Sequence, residues 1–181
     1  LEEDDVIALI GELMVQATAS LGYLAYHWHP EENQLLIIAD QTIQESGKET
    51  AVGTPISLDG ASSLTGILQN QEAAAFQNTT PQINLPQEIS WLTPDASFAE
   101  AYFPLVVSDE TVSLLHIVRQ GAAYNQRELR LLTALADRAS TALETAFIFQ
   151  DTYEREQFYN ALGNVSMAIN FTLEQDTLLN L

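Results

Sequence analysis

The 181-residue sequence contains no cysteine. A disulfide framework, a thiolate metal centre, a cysteine nucleophile and a thioether-linked chromophore are therefore all excluded. Cations are scarce too: six Lys and Arg stand against 25 Asp and Glu, a formal charge of −19. The deficit is uneven. Residues 1–118 hold 17 acids and one base, Lys48, for a net −16, whereas residues 119–181 hold eight acids and five Arg, for −3. Nucleic acid and anionic membrane surfaces both need clustered cations, so neither is an expected partner. No apolar run approaches the roughly 20 residues that span a bilayer, and no basic stretch precedes an apolar one as in a secretion signal. A cytoplasmic location is the expectation. The chain opens without Met, at Leu1 in an acidic helical segment, and reads as a piece of a longer protein.

Catalytic signatures are missing as well. There is no Gly-x-Ser-x-Gly elbow, no phosphate-cradling Gly-Lys-Ser/Thr loop and no His-Glu-x-x-His. What is present is core-forming material: 46% apolar residues, with seven Phe, six Tyr and two Trp. Residues 2–20 have a helical stripe, Val6, Ile10, Leu13 and Ala17, widened by Ile7 and Met14. Leu21–His29 and Gln34–Thr42 read as a hairpin across Pro30-Glu31-Glu32-Asn33. Short strands are expected at Thr54–Leu58 and Ala74–Gln77. Between them, Ser62 to Leu68 reads as a short helix with a hydroxyl cap. Pro81, Pro86 and Pro94 mark residues 79–95 as an irregular segment. Ser97–Val107 and Thr111–Arg119 form a second, longer hairpin.

Asn125 and Glu128 then have the spacing of a capping box. Behind them Leu129, Leu132, Ala136, Ala139, Leu143 and Ala146 step as a heptad seam. The order of elements predicts an α+β fold: an antiparallel sheet with helices on one face, loops on the other, and a long C-terminal helix extending out. Residues 1–150 form the expected domain. Residues 151–181 form a helical connector and the start of a following domain.

Three stretches carry a family resemblance. The first is Gly53-Thr54-Pro55-Ile56-Ser57-Leu58 followed by Leu64-Thr65-Gly66-Ile67-Leu68. The second is Ala101-Tyr102-Phe103-Pro104-Leu105-Val106, a turn, then Val112-Ser113-Leu114-Leu115-His116-Ile117. The third is the helix from Arg127 to Ala146. In this order and spacing, over residues 5–150, the chain resembles a GAF domain, the small-molecule sensor module of bacterial signalling proteins. The resemblance implies a non-enzymatic sensor in a cytoplasmic two-component protein, a histidine kinase or response regulator, with a downstream signalling domain in the same chain. The Asn-Lys-Phe-Asp-Glu set of the cyclic-nucleotide subgroup is not found. The bilin-bearing and methionine-sulfoxide-reducing subgroups both need a Cys that is absent here. The implied ligand is an unidentified small molecule held non-covalently, and neither a cofactor nor a metal is implied.

Within that frame the candidate pocket residues are Tyr26, Trp28, Ser62, Ser63, Thr65, Phe76, Trp91, Phe98, Tyr102 and His116. Tyr26 and Trp28 share one strand face, as do Phe98 and Tyr102. Core packing is the competing explanation for these aromatics, and N-capping alone explains the hydroxyls equally well. His27, His29 and His116 are the available imidazoles, and a non-covalent haem-type sensor using one of them is an alternative. Val6, Ile10, Leu13, Ala17, Leu132, Ala136, Ala139, Leu143 and Ala146 are the candidates for a homodimer through parallel helices. A ligand-free dimerisation spacer is the other alternative.

Overall fold

A computed structural model describes residues 3–42, 51–78, 82, 97–149 and 153. Helix α1 (Glu3–Thr18) leads into the hairpin β1 (Gly22–His29) and β2 (Gln34–Thr42). Strand β3 (Pro55–Ser57), helix α2 (Ser62–Asn70) and strand β4 (Ala74–Asn78) follow. The long hairpin β5 (Phe98–Val107) and β6 (Glu110–Gln120) completes the sheet, and helix α3 occupies residues 126–149. The described strands make one antiparallel sheet in the order β3-β2-β1-β6-β5-β4. Both hairpins sit where the sequence places them, to within a residue or two at the ends. Ser108 and Asp109 both have positive φ, 51° and 64°, which matches the right-handed twist of the strands they join.

Each face of the sheet carries its own core. On one face, α1 and α3 bury Ile7, Met14, Leu132, Ala136, Ala139 and Leu143 against Tyr23, Ala25, Ala101, Phe103, Leu115 and Ile117. On the other, Leu64, Ile67 and Leu68 of α2 pack with Leu24, Tyr26, Leu35, Ile37, Tyr102 and Leu114. The second face therefore has a short helix of its own as well as loops. That helix does not start on a hydroxyl cap: its N-cap is Ala61, with no side-chain hydrogen bond.

The helical seam needs a correction. Leu132, Ala136, Ala139 and Leu143 are 0–4% exposed within a single chain, because the sheet takes the face that the heptad spacing assigned to a second copy. Heptad steps mark an apolar stripe but not what covers it. Ala146 is exposed. On α1 the buried face is Ile7, Gly11, Met14, Val15 and Thr18. Val6 and Ile10 are half-buried beside it, while Leu13 and Ala17 face outward.

The capping box is present as read. Asn125 Oδ1 accepts from the Arg127 and Glu128 N–H groups at 2.9 and 3.0 Å, and Asn125 N–H donates to Glu128 Oε2 at 2.8 Å. Arg119, at the end of β6, grips the same carboxylate at 2.6 and 3.1 Å. It also donates to the Thr18, Ala122 and Ala123 carbonyls and lies 4.3 Å from the Tyr124 ring centroid. One guanidinium thus joins the ends of β6 and α1 to the start of α3.

The chain divides into two compact units, Leu1–Leu143 and Glu144–Leu181. In the second, residues 144–149 and Tyr153 are helical; the expected connector and following domain otherwise lie outside the described residues. No helix among the described residues is long and apolar enough to cross a membrane.

Two stability predictions follow from these contacts. A Cβ at Gly11 would stand 2.4–2.8 Å from three carbons of the Tyr23 ring. Helix propensity favours Ala over Gly by about 1 kcal/mol, but overpacking costs about 1–3 kcal/mol, so Gly11→Ala lowers the denaturant midpoint. The Arg119 guanidinium, then the Asn125 N–H, holds the Glu128 carboxyl below its usual value. A depressed carboxylate stabilises the fold above its unfolded pKa, and this stability is lost as pH falls through the folded one. Glu128→Gln should therefore destabilise the protein at neutral pH, and the difference should vanish in acid, as followed by denaturation across pH.

Candidate functional site

The face opposite α1 and α3 carries a polar cluster inside an apolar surround. Strand register builds it. Leu24, His116 and Tyr102 lie side by side on β1, β6 and β5. Tyr26 is one pleat along β1 in one direction, and Glu100 is one pleat along β5 in the other. Both are diagonal neighbours of His116, within reach of long side chains. The imidazole consequently bridges them: Nδ1 lies 3.1 Å from the Tyr26 hydroxyl and Nε2 2.9 Å from Glu100 Oε1. The Tyr102 hydroxyl donates to the same Oε1 at 2.9 Å, and the Gln82 backbone N–H donates to Oε2 at 3.3 Å. Tyr102 stacks on His116 with ring centroids 4.2 Å apart, and Phe76 meets Tyr102 edge-on at 6.0 Å.

Tyr26, Glu100, Tyr102 and His116 are all 0% exposed. Burial, reinforced by the Glu100 charge, holds both phenols well above the usual tyrosine value. They stay protonated at physiological pH and act as neutral hydrogen-bonding groups. A buried carboxylate beside an imidazole is sustained only by such partners, since each group alone would carry a large desolvation penalty.

The structure brings together Tyr26, Tyr102, His116 and Phe76 from the sequence-derived set. Phe98 is buried and shares the strand face of Glu100 and Tyr102 by alternation. Trp28 packs against the same apolar cluster, and its buried indole N–H has no hydrogen-bond partner among the described residues. Ser62 opens α2 and Ser63 is exposed. Thr65 turns its hydroxyl back to the Ala61 carbonyl at 3.4 Å. Trp91 lies outside the described residues. Glu100 is the residue that sequence reading missed. Its signal was available: a lone acid two positions before Tyr102, in a strand otherwise apolar from Phe98 to Val107.

On the helix face, His27 Nδ1 meets Ser113 Oγ at 3.0 Å and Nε2 meets Asp4 Oδ1 at 2.9 Å. A serine, an imidazole and a carboxylate in line suggest acyl-transfer chemistry, but Ser113 is 0% exposed in mid-strand and cannot meet a substrate. The cluster pins the first turn of α1 to the sheet. Both ring nitrogens of His27 and of His116 are engaged, so neither imidazole suits axial ligation of a haem iron. No group of three His, Cys, Asp or Glu suited to a metal occurs among the described residues. A cleft of about 70 Å³ lined by Glu12, Val15, Gln16, Tyr23 and Gln41 holds no sequence-derived pocket residue and has room for only a few waters.

Removing one partner of a buried pair costs more than removing a neutral hydrogen bond. His116→Leu should lower the unfolding free energy by about 3 kcal/mol, and Tyr26→Phe by about 1 kcal/mol. Denaturant titration of both variants checks the order.

The comparisons with known proteins agree with this architecture. No curated protein matches the chain in sequence. Among solved structures, the chain is similar to the GAF domain/HD domain protein of Geobacter sulfurreducens, with TM-score 0.64 and 13% identity over 82% of this chain and 97% of that one. It is similar to the second GAF domain of DevS from Mycobacterium smegmatis, with TM-score 0.62 and 16% identity over 83% and 99%. The blue-light absorbing form of the Thermosynechococcus elongatus PixJ GAF domain gives 0.63 and 14% over 84% and 91%. At these identities the likeness is one of fold. The model of the GAF domain family itself matches residues 1–144, and the chain belongs to that family of sensory and signalling modules.

Proposed function

We propose that this chain is the sensory domain of a cytoplasmic multidomain signalling protein, a histidine kinase or response regulator, and is not itself an enzyme. It binds a small molecule non-covalently on the sheet face opposite α1 and α3. The observation that carries this reading is the buried Tyr26–His116–Glu100–Tyr102 cluster. An apolar surround with a few convergent polar groups is the usual make-up of a small-molecule site. Four polar side chains are also a costly way to fill a core that aliphatic residues would fill without a desolvation penalty.

Homodimerisation through α1 and α3 belongs to the same reading, with a changed surface. Leu132, Ala136, Ala139 and Leu143 are covered by the sheet, so the pairing surface centres on the outward Leu13 together with Leu9 and Leu131, 42–50% exposed. A ligand that favours one position of these helices would shift their packing, and can do so only in proportion to its difference in affinity for the two states.

Native mass spectrometry of the purified chain tests the binding reading. A co-purified small molecule lost on His116→Leu supports it. A chain that is empty and binds nothing leaves a dimerisation spacer. Sedimentation tests the dimer: Leu13→Asp with Leu131→Asp should convert it to monomer, whereas a wild-type chain that is monomeric at high micromolar concentration removes it.

A further inference from the structure

The outward faces of α1 and α3 also specify how two copies meet, a step that rests on the dimer reading above. The two helices run antiparallel on the sheet, and contacts at both ends set their relative level. At one end the Ser20 and Tyr124 hydroxyls lie 2.9 Å apart, and Arg119 joins the Thr18 carbonyl to Glu128. At the other end Asp4 meets His27, which meets Ser113. Ser113 pairs with Leu105, and the next residue, Val106, donates its N–H to Ser140 Oγ. Thr18 is therefore level with the first turn of α3, and Asp4 with Ser140. Both helices rise about 1.5 Å per residue, so Leu13 is level with Leu131 and Leu9 with Leu135. Leu9, Leu13 and Leu131 face outward, and Leu135 is half-buried.

The two helices carry opposite charge. Helix α1 holds Glu3, Asp4, Asp5 and Glu12 and no base. Over residues 126–143, α3 exposes Arg127, Arg130 and Arg138 against one outward acid, Asp137, while its Glu128 is held by Arg119. Among the described residues, neither Glu12 nor Arg130 has an ion-pair partner within the chain. Two such layers can stack face to face about a two-fold axis in two ways. An axis across the helices sets α1 on the partner's α1 and α3 on its α3, acids on acids and arginines on arginines. An axis along the helices keeps every level and sets α1 on the partner's α3, acid facing base. Like charges across an interface are costly, and opposite charges fix its register.

We infer that this face takes a second copy of the chain as a four-helix bundle in which α1 packs antiparallel on the partner's α3. Leu13 meets the partner's Leu131, and Leu9 meets the partner's Leu135. Glu12 and Arg130 each precede a seam leucine by one residue. In an antiparallel pair such positions lie on the same flank of the seam, where packed helices place their ion pairs. Glu12 thus pairs with the partner's Arg130, and the symmetry repeats the pair on the other side.

Sedimentation of the 181-residue chain measures the dimer. Glu12→Arg and Arg130→Glu should each weaken it roughly tenfold or more, since each sets like charges together twice. The double variant, which swaps the charges, should return to within about threefold of wild type. The chain has no cysteine, so cross-linking gives a second readout that holds even if a charge variant fails to fold. Mild oxidation of an equal mixture of Leu13→Cys and Leu131→Cys proteins should join unlike variants, while neither variant alone cross-links, because bridged Cα atoms lie within about 7 Å. A dimer that either charge reversal leaves unchanged, or that the double variant fails to restore, overturns this pairing and leaves the dimer reading standing. So does a Leu13→Cys protein that cross-links to itself, or a mixture that does not cross-link. A wild-type chain that is monomeric at high micromolar concentration removes both.

Discussion

A carboxylate with no exposure to water, set on an interior strand of an antiparallel sheet, is the constraint around which this domain is organised. Glu100 is tolerable there because partners reach it, among them a tyrosine from β5, a histidine from β6 and the backbone N–H of Gln82. Those partners arrive only when β1, β6 and β5 pair in one register, since a slip of one residue would send Tyr26, His116 and Tyr102 to the helix face. Hydrophobic burial drives the collapse of such a sheet but is indifferent to small shifts. The polar cluster is not, and so supplies specificity of register where the apolar surround supplies energy.

The two faces divide the labour. The face under α1 and α3 is packed with aliphatic and small residues, down to a glycine at position 11 that lets the Tyr23 ring lie on the helix backbone. It is fastened at both ends: by Asp4 and His27 at the start of α1, and by Arg119 and Glu128 where β6 turns into α3. The opposite face keeps its aromatic and ionisable groups. Coupling between them needs no long path, because β1 and β6 carry the polar cluster on one side and the helix contacts on the other. In the proposed sensor, a ligand that moved these strands would also alter how the helices seat on the other face.

The candidate site was only partly legible in the sequence. Tyr26, Tyr102 and His116 stood out as polar-tipped aromatic groups in apolar strands, and alternation put Phe98 with Tyr102. Glu100 did not stand out, because in a chain with 25 acids one more carries little signal until its strand partners are known. The hydroxyls of Ser63 and Thr65 misled for a related reason. Ser and Thr favour helix starts on average, but the N-cap here is Ala61, one residue before Ser62. The seam of α3 misled more instructively, since a sheet and a second helix both satisfy a narrow apolar stripe.

The sequence by itself determined the local structure and the class of fold. Periodicity of two and of three to four residues, punctuated by Pro30, Asn33, Ser108 and the Asn125–Glu128 box, depends only on near neighbours along the chain, and it placed the hairpins and long helices. Absence of cysteine likewise settled what chemistry is closed. Only the tertiary structure decided which side chains meet: that His116 stands between Tyr26 and Glu100, that Arg119 closes on Glu128, and that the sheet covers Leu132 to Leu143. The Tyr26–His116 contact joins residues 90 positions apart. Strand order and register, which no local pattern encodes, bring them within hydrogen-bond distance.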